Sequence, residues 1–263
     1  MRRRLKEYKA TVELVMDSFF HFPLVEVLTG AFIVIAAYFI TGTHLGNSFI
    51  VPSILGPDYT IEEMNNTLTR SGMLTLGSTL SNFSFLLAFI LPPIIAYSVG
   101  RAMETGILRT YLSFPLSKEN FLSAIVSIIV GALVVPVIAI SLAGTWIFET
   151  NLGQVEMATA FSLGFLGFAL LCISSSIVLA LVSNNTMVTS LLGTGMWLGL
   201  LILSRYTPVE SPLLDPISFG MQYLAGVDQA PTLLEVSLAG SGAVLLGIGV
   251  LLVALFIFRR KGV

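Results

Sequence analysis

The side chains that most often carry chemistry are scarce in this chain and far apart in sequence. His21 and His44 lie on either side of the first apolar segment, and the single cysteine, Cys172, lies inside a later one. A metal centre needs several ligands close together, and a nucleophilic cysteine needs a neighbouring base. The HExxH, GxSxG and GxxxxGK[ST] patterns are also missing from the sequence. We therefore expect no catalytic site, metal site or cofactor site in this chain.

Ionisable side chains are missing from the centres of the apolar segments as well. Only Glu26 and Glu235 fall within them, each near an end. Ion-coupled carriers usually place ionisable groups at mid-membrane depth, and a membrane enzyme would need a general base there. The sequence therefore argues against both classes. Ser174–Ser176 remain as polar groups in the fourth segment; such serines more often bond their own backbone or a neighbouring helix than a substrate.

Composition identifies an integral membrane protein. The chain is 55% hydrophobic and 11% charged, with a mean hydropathy of +0.92. Nearly uncharged runs long enough to cross about 30 Å of hydrocarbon as helices occur six times, and none alternates as a barrel strand would. We predict an all-α integral membrane protein with a single transmembrane domain over residues 1–263. Its six transmembrane helices are expected at Leu24–Ile40, Met73–Val99, Phe121–Phe148, Met157–Val182, Met187–Leu203 and Leu233–Phe258.

The distribution of lysine and arginine predicts how the chain is oriented. Of 13 basic residues, 11 lie in the N-terminal segment, the loop after the second span and the C-terminal tail. Basic residues concentrate in cytoplasmic loops. Both termini are therefore expected in the cytoplasm, with the protein in the cell membrane.

Three segments outside the spans have readable patterns. Residues 1–22 are amphipathic, which predicts a helix in the cytoplasmic interface; a solvated tail is the alternative. The capping box Thr60–Glu63 predicts a short helix towards Arg70. Residues 205–232 carry four prolines around an apolar run, which predicts an interfacial or re-entrant loop on the outer side. Pro92-Pro93 and Pro136 should each bend the helix that contains them, because proline cannot donate a backbone hydrogen bond.

The loop at residues 100–120 is the longest stretch that mixes both signs of charge. Its apolar residues, Met103, Ile107 and Leu108 among them, fall on one side of a helical wheel, which predicts an amphipathic helix along the membrane surface. Glu104 falls on this apolar side, where a carboxylate is costly unless it is paired. Arg101 is a local candidate partner; docking of this face onto another protein is the alternative.

The order of residues in this loop resembles that of the permease subunits of ABC-2-type transporters. Those subunits read E-x-G-T-L and then P-[LV]-S-[RK]. This chain has Glu104-Thr105-Gly106-Ile107-Leu108 and then Pro115-Leu116-Ser117-Lys118, with the family's nine-residue step from glycine to proline. Ile107 stands where the family usually has threonine. The six spans, the N-terminal helix and the predicted cytoplasmic ends are similar to the family's architecture.

The resemblance implies a permease dimer driven by a separate ATP-binding subunit, which would hold ATP and Mg²⁺, with residues 100–120 as the coupling helix. It also implies that spans one and five line the dimer interface, with Gly195 and Gly199 as close-contact points. The partner permease would be a second copy or a homologue, and the chain would contact membrane lipid but no nucleic acid. Residues matching the motif are expected to couple the chain to the ATPase: Glu104, Gly106, Leu108, Pro115, Ser117 and Lys118.

Simpler roles stay open for these residues. Gly106 could serve just to break a helix, Pro115 just to end one, and Lys118 just to anchor the third span, without any role in coupling. The competing functional class is a membrane facilitator or assembly factor with no ATPase partner. The substrate cannot be read from the sequence.

Overall fold

The computed structural model describes residues 2–20, 26–39, 41, 61–107, 117–148, 155–206, 212–225 and 231–261. Apart from short connections these residues are helical, and no strand occurs among them, which confirms the all-α class. Five helices are long and apolar enough to cross a membrane, as expected of a multi-pass membrane protein. They are Met73–Glu104, Lys118–Ala143, Glu156–Ser183, Thr186–Ser204 and Leu233–Arg260.

We number the described helices along the chain. They are α1 Arg2–Phe19, α2 Glu26–Phe39, α3 Ile61–Ile95, α4 Arg101–Glu104, α5 Lys118–Ile129, α6 Val135–Phe148, α7 Val155–Ser183, α8 Thr186–Tyr206, α9 Pro216–Ala225 and α10 Leu233–Arg260. The π-helical turn Ala96–Gly100 joins α3 to α4, and a second such turn, Val130–Val134, joins α5 to α6.

The predicted first span corresponds to α2, which is shorter than the five membrane-length helices. It packs against α3 through aromatic side chains, with the rings of Phe32 and Phe39 centred 5.4 Å and 6.2 Å from that of Phe83. Val34 and Tyr38 on its other side are exposed. The six-span architecture therefore stays a prediction, and five membrane-length helices are what the described residues contain.

α3 differs from the short helix expected after Thr60. It begins at Ile61 but continues past Arg70 to Ile95, so the outer helix and the second span are one element. The residues between Arg70 and Met73 include no proline, and a single glycine costs a helix only about 1 kcal/mol. Pro92 and Pro93 lie inside α3, shortly before the π-helical turn Ala96–Gly100. Pro136 lies near the start of α6, directly after the π-helical turn Val130–Val134.

α7 is the central helix of the bundle. Of the residues in its most apolar 18-residue stretch 67% are buried, against 22% for α8 and for α10. It packs most extensively on α10, along a seam of small residues. A Cβ at Gly167 would lie 2.7 Å from the Ala243 Cβ, and one at Gly247 would lie 2.8 Å from the Leu170 Cβ. The two backbones are therefore as close as glycine permits.

The amphipathic N-terminal segment forms α1, as predicted. Thr11 and Val15 are fully buried, and Glu13 and Asp17 are exposed on the other side. The buried side packs along α5, where the Tyr8 hydroxyl donates a hydrogen bond to the Ser127 hydroxyl at 2.8 Å. α1 is thus attached to the first half of the third span.

Candidate functional site

The described part of the loop motif lies at one end of the bundle, which also carries Arg101, Lys118 and the C-terminal basic residues. We call this the basic end, and the end that carries α9 the opposite end. At the basic end the helices are joined by side chains that bond to the backbone termini of their neighbours. Helix termini leave backbone donors and acceptors without partners inside the helix, so these positions are where such contacts form.

Glu104 bonds to the first residue of α8. Its Oε2 accepts hydrogen bonds from the Thr186 backbone N–H at 3.2 Å and from the Thr186 hydroxyl at 2.6 Å. Asn185 also caps this terminus, because its Oδ1 accepts from the Val188 N–H at 3.0 Å. A carboxylate at a helix N-terminus is stabilised by the free N–H groups and by the helix dipole. Glu104 therefore links the end of the second span to the start of the fifth.

Arg101, the candidate partner of Glu104 in the local sequence, contacts other groups in the structure. The Arg101 guanidinium lies over the Tyr97 ring, 5.0 Å from its centroid, and the Arg101 carbonyl accepts from the Thr105 N–H at 2.9 Å. Glu104 itself is exposed. Its pairing with Thr186 joins residues 82 positions apart, which the local sequence could not indicate.

Gly106 ends the helix that carries Glu104. Its φ of +71° lies in the left-handed region, and its N–H donates to the Met103 carbonyl at 3.3 Å. A glycine in this conformation is a common way to stop a helix, since other residues are strained there. A side chain would meet no atom within 4 Å, so the requirement for glycine comes from the backbone alone. The predicted surface helix over residues 100–120 is therefore interrupted at Gly106, and residues 108–116 lie outside the described residues.

Ser117 and Lys118 act at the start of the third span. The Ser117 hydroxyl caps α5 by accepting from the Asn120 N–H at 3.1 Å. The Lys118 ammonium donates to the carbonyls of Phe258 and Lys261 at 3.3 Å and 2.8 Å. A lysine at a helix C-terminus satisfies carbonyls that have no partner inside the helix. Lys118 therefore ties the third span to the end of the sixth.

The C-terminal residues extend these connections. The Lys261 ammonium donates to the Leu181 carbonyl and to the Asn184 side-chain oxygen, and Arg259 forms an ion pair with Glu119. Partial burial lowers the pKa of Lys261 below the usual lysine value. Asn184 has a φ of +50°, which asparagine tolerates, and it lies in the connection between the fourth and fifth spans. Side-chain contacts at the basic end thus involve each of the predicted spans from the second to the sixth.

Two of the predicted coupling residues, Leu108 and Pro115, lie outside the described residues. Ile107, at the position where the motif departs from the family, is exposed. The structure brings Lys118 to the last helix and Glu104 to the fifth span, whereas Ser117 caps its own helix and Gly106 ends the helix of Glu104.

Gly195 and Gly199 are not close-contact points inside the chain. Both are exposed, and a Cβ at either would meet nothing within 4 Å. They lie on an outward apolar face of α8 with Met187, Leu191, Leu192, Met196 and Ile202. A role in contact with a second chain stays a prediction. The close approaches that the structure contains involve other glycines, among them Gly167, Gly193, Gly240 and Gly247. The seven-residue step from Gly240 to Gly247 is a sequence signal for these two glycines.

The serine run in α7 has structural partners. The Ser174 and Ser176 hydroxyls donate to backbone carbonyls one turn earlier, at 3.2 Å and 2.7 Å. The Ser175 hydroxyl accepts from the Trp197 indole N–H at 2.9 Å and so joins α7 to α8. These contacts are the ones expected of serines inside helices. Among the described residues no group of three or more histidine, cysteine, aspartate or glutamate side chains could hold a metal ion.

Comparison of the chain with protein-family models, curated proteins and solved structures gave no significant match. The class that fold and composition define is a multi-pass, all-helical membrane protein.

Proposed function

We propose that this chain is the membrane permease subunit of an ATP-driven transporter of the ABC-2 type, and that it exports its substrate. The observation that carries the proposal is the contact of Glu104, the motif glutamate, with the first residue of α8. A loop that pulls or pushes at Glu104 acts directly on a membrane-length helix. This is the arrangement that a coupling loop requires.

The proposal assigns the energy source to another chain. The sequence has no GxxxxGK[ST] phosphate loop, so ATP and Mg²⁺ would bind to a partner subunit seated on residues after Gly106. The basic end would face the cytoplasm, by the distribution of lysine and arginine. A second permease copy or homologue would pack on the outward face of α8, where Gly195 and Gly199 leave room for a close approach.

Coupling would follow from the contacts of the basic end. Movement of the loop would reach α8 through Glu104 and would reach α5 and α10 through Lys118. The gain and loss of these contacts would bias the dimer between inward-open and outward-open states. A ligand can shift such an equilibrium only by binding the two states differently. The ATPase would supply that difference when it closes on ATP.

Copurification and transport test this proposal together. The full chain, extracted in a mild detergent, is expected to bring an ATP-binding subunit with it. Glu104→Ala should reduce ATP-dependent transport in reconstituted vesicles while the ATPase still copurifies, because the loop would remain docked. Glu156→Ala is the control, since Glu156 is an exposed carboxylate in the first turn of α7, at the opposite end of the bundle. Copurification of no ATPase, or equal transport by the two variants, would contradict the proposal.

The second candidate is a membrane facilitator or assembly factor without an ATPase. It is favoured by the finding that Glu104, Gly106, Ser117 and Lys118 all have structural duties inside the chain. These duties account for the residues without any partner subunit. Substrate movement that needs no ATP, in a gene neighbourhood with no ATP-binding subunit, would favour this candidate.

A further inference from the structure

α8 is held by a carboxylate at each of its two ends. Glu104 bonds to Thr186 at the basic end, and Asp215 bonds to Ser204 at the opposite end. The Ser204 hydroxyl donates to Asp215 Oδ2 at 2.6 Å, and the Asp215 side chain is 7% exposed. α8 packs on the core through one stripe of four buried residues, Thr189, Gly193, Trp197 and Leu201. Its two polar ends add side-chain hydrogen bonds to this packing.

Asp215 also holds the short helix α9. Its Oδ1 accepts from the Ser218 N–H at 3.1 Å and caps the N-terminus of α9, where Pro216 occupies the first position. Proline fits that position because it has no N–H to leave without a partner. One carboxylate therefore bonds the end of α8 with one oxygen and the start of α9 with the other. Any displacement of Ser204 acts on the cap of α9.

α9 is inserted among the spans at the opposite end. Ile217 is 1% exposed, and a Cβ at Gly220 would lie 3.0 Å from Phe161 of α7 and 3.1 Å from Val236 of α10. The Met221 sulfur occupies the space beside Gly77 of α3, and a Cβ at Gly164 would touch Pro216 at 3.4 Å. α9 thus closes the space between α3, α7 and α10. The placement of the loop at 205–232, interfacial or re-entrant, stays a prediction.

The middle of α8 has a close contact on which it could turn. A Cβ at Gly193 would lie 2.7 Å from the Pro92 Cβ of α3, so the Pro92 ring packs directly against the backbone of α8 there. One turn further on, the Trp197 indole bonds Ser175 and packs edge-on against Phe168, with ring centroids 5.2 Å apart. A helix of this length is about 30 Å long. The contacts around residues 193–197 lie near its midpoint, between the two polar ends.

We propose that α8 is a lever that turns about its Gly193–Trp197 contacts and carries movement of the Glu104 loop to α9 at the opposite end. Glu104 and Asp215 are its positioning residues, and α9 is the element that opens. The inference rests on the proposed function in taking the Glu104 loop as the input. Its test uses neither ATP nor the ATPase, so failure of one leaves the other standing.

The experiment measures how fast a cysteine introduced by I217C reacts with a maleimide, in the purified full chain in lipid nanodiscs, where both ends are accessible. Native Cys172 is fully buried and supplies the unreactive background. Three variants are compared in the I217C chain. Asp215→Ala breaks the contact next to α9, Glu104→Ala breaks the contact at the far end of α8, and Glu119→Ala is the control at the basic end.

We expect labelling to rise about five-fold in Asp215→Ala and in Glu104→Ala, and to stay within about two-fold in Glu119→Ala. Thr186→Val should add little to Glu104→Ala, because both variants remove one contact. An unchanged rate in Asp215→Ala would show that Asp215 does not hold α9. Equal rates in Glu104→Ala and Glu119→Ala would show that α8 does not transmit movement. Ile177→Cys, in the buried centre of α7, places a second reporter cysteine that measures general loosening of the fold. If Glu104→Ala raises maleimide labelling of this cysteine as much as it raises labelling in I217C, the lever is also overturned.

Discussion

Replacing Gly167 by alanine should separate the two most closely packed helices. The new Cβ would lie 2.7 Å from the Ala243 Cβ, 2.8 Å from the Val244 nitrogen and 3.0 Å from the Ala243 carbonyl carbon. Non-bonded carbon atoms prefer about 3.5–4.0 Å, so the seam between α7 and α10 must open by about 1 Å. Two of the three atoms belong to the backbone, so a change of rotamer cannot relieve the contact.

The size of the effect follows from two opposing contributions. Overpacking of a well-packed core costs about 1–3 kcal/mol, and replacing a helical glycine by alanine returns up to about 1 kcal/mol. We expect Gly167→Ala to lower the free energy of unfolding by about 1–2 kcal/mol. For a chain of this size that corresponds to a fall of about 3–6 °C in the thermal midpoint.

Thermal unfolding of the purified full chain in one detergent provides the assay, and Gly249→Ala provides the control. Gly249 is also in a membrane-length helix, α10, but a Cβ there would meet nothing within 4 Å. Gly249→Ala should leave the midpoint unchanged or raise it. If Gly167→Ala unfolds at or above the wild-type temperature, or if Gly249→Ala falls as far, the α7–α10 seam is not packed as described.

Three further predictions use the same kind of paired variant. Gly193→Leu should destabilise the chain, because a Cβ there would lie 2.7 Å from Pro92. Gly195→Leu should leave the thermal midpoint unchanged and reduce the yield of dimer in chemical cross-linking. An equal loss of stability in both variants would contradict the outward placement of Gly195. Gly106→Ala should lower the free energy of unfolding by about 1 kcal/mol, because the new side chain is strained at a φ of +71°, and a midpoint at or above that of Gly249→Ala would refute the strain. Trp197→Phe and Ser175→Ala should each cost about 1 kcal/mol but be non-additive in the double variant, since they share one hydrogen bond at 2.9 Å; strict additivity of the unfolding free energies would show that the bond is not formed.

The sequence predicted the helices well because their signal is local. The fifth span was expected at Met187–Leu203, and α8 runs from Thr186 to Tyr206. The amphipathic pattern of the N-terminal segment likewise predicted which side of α1 is buried. The start of α3 was predicted correctly at Thr60, but its end was not, because a capping box marks only where a helix begins.

The site was less predictable, because its contacts join distant parts of the chain. Lys118 bonds residues 140 and 143 positions away, and nothing near Lys118 in sequence points to them. The motif selected Glu104 and Gly106 for a role at a partner surface, whereas the structure gives them contacts and a backbone conformation inside the chain. Asp215 received no role, although its place directly before Pro216 is a helix-start pattern. Gly195 and Gly199 met the spacing for close packing, but spacing alone does not say whether the neighbour belongs to the same chain.

A structural role and a coupling role for Glu104 are compatible, because both depend on its being at a helix end. Gly106 stops the helix two residues after Glu104, and Gly100, one turn before Glu104, packs against the backbone of Thr186. A rigid helix can be moved from its terminus, where backbone groups are free to bond another segment. The same two hydrogen bonds that cap α8 would therefore transmit a displacement of the loop. What separates the two roles is where the effect of Glu104→Ala is felt: loss of a cap alone weakens the basic end, whereas a lever also exposes Ile217 at the opposite end.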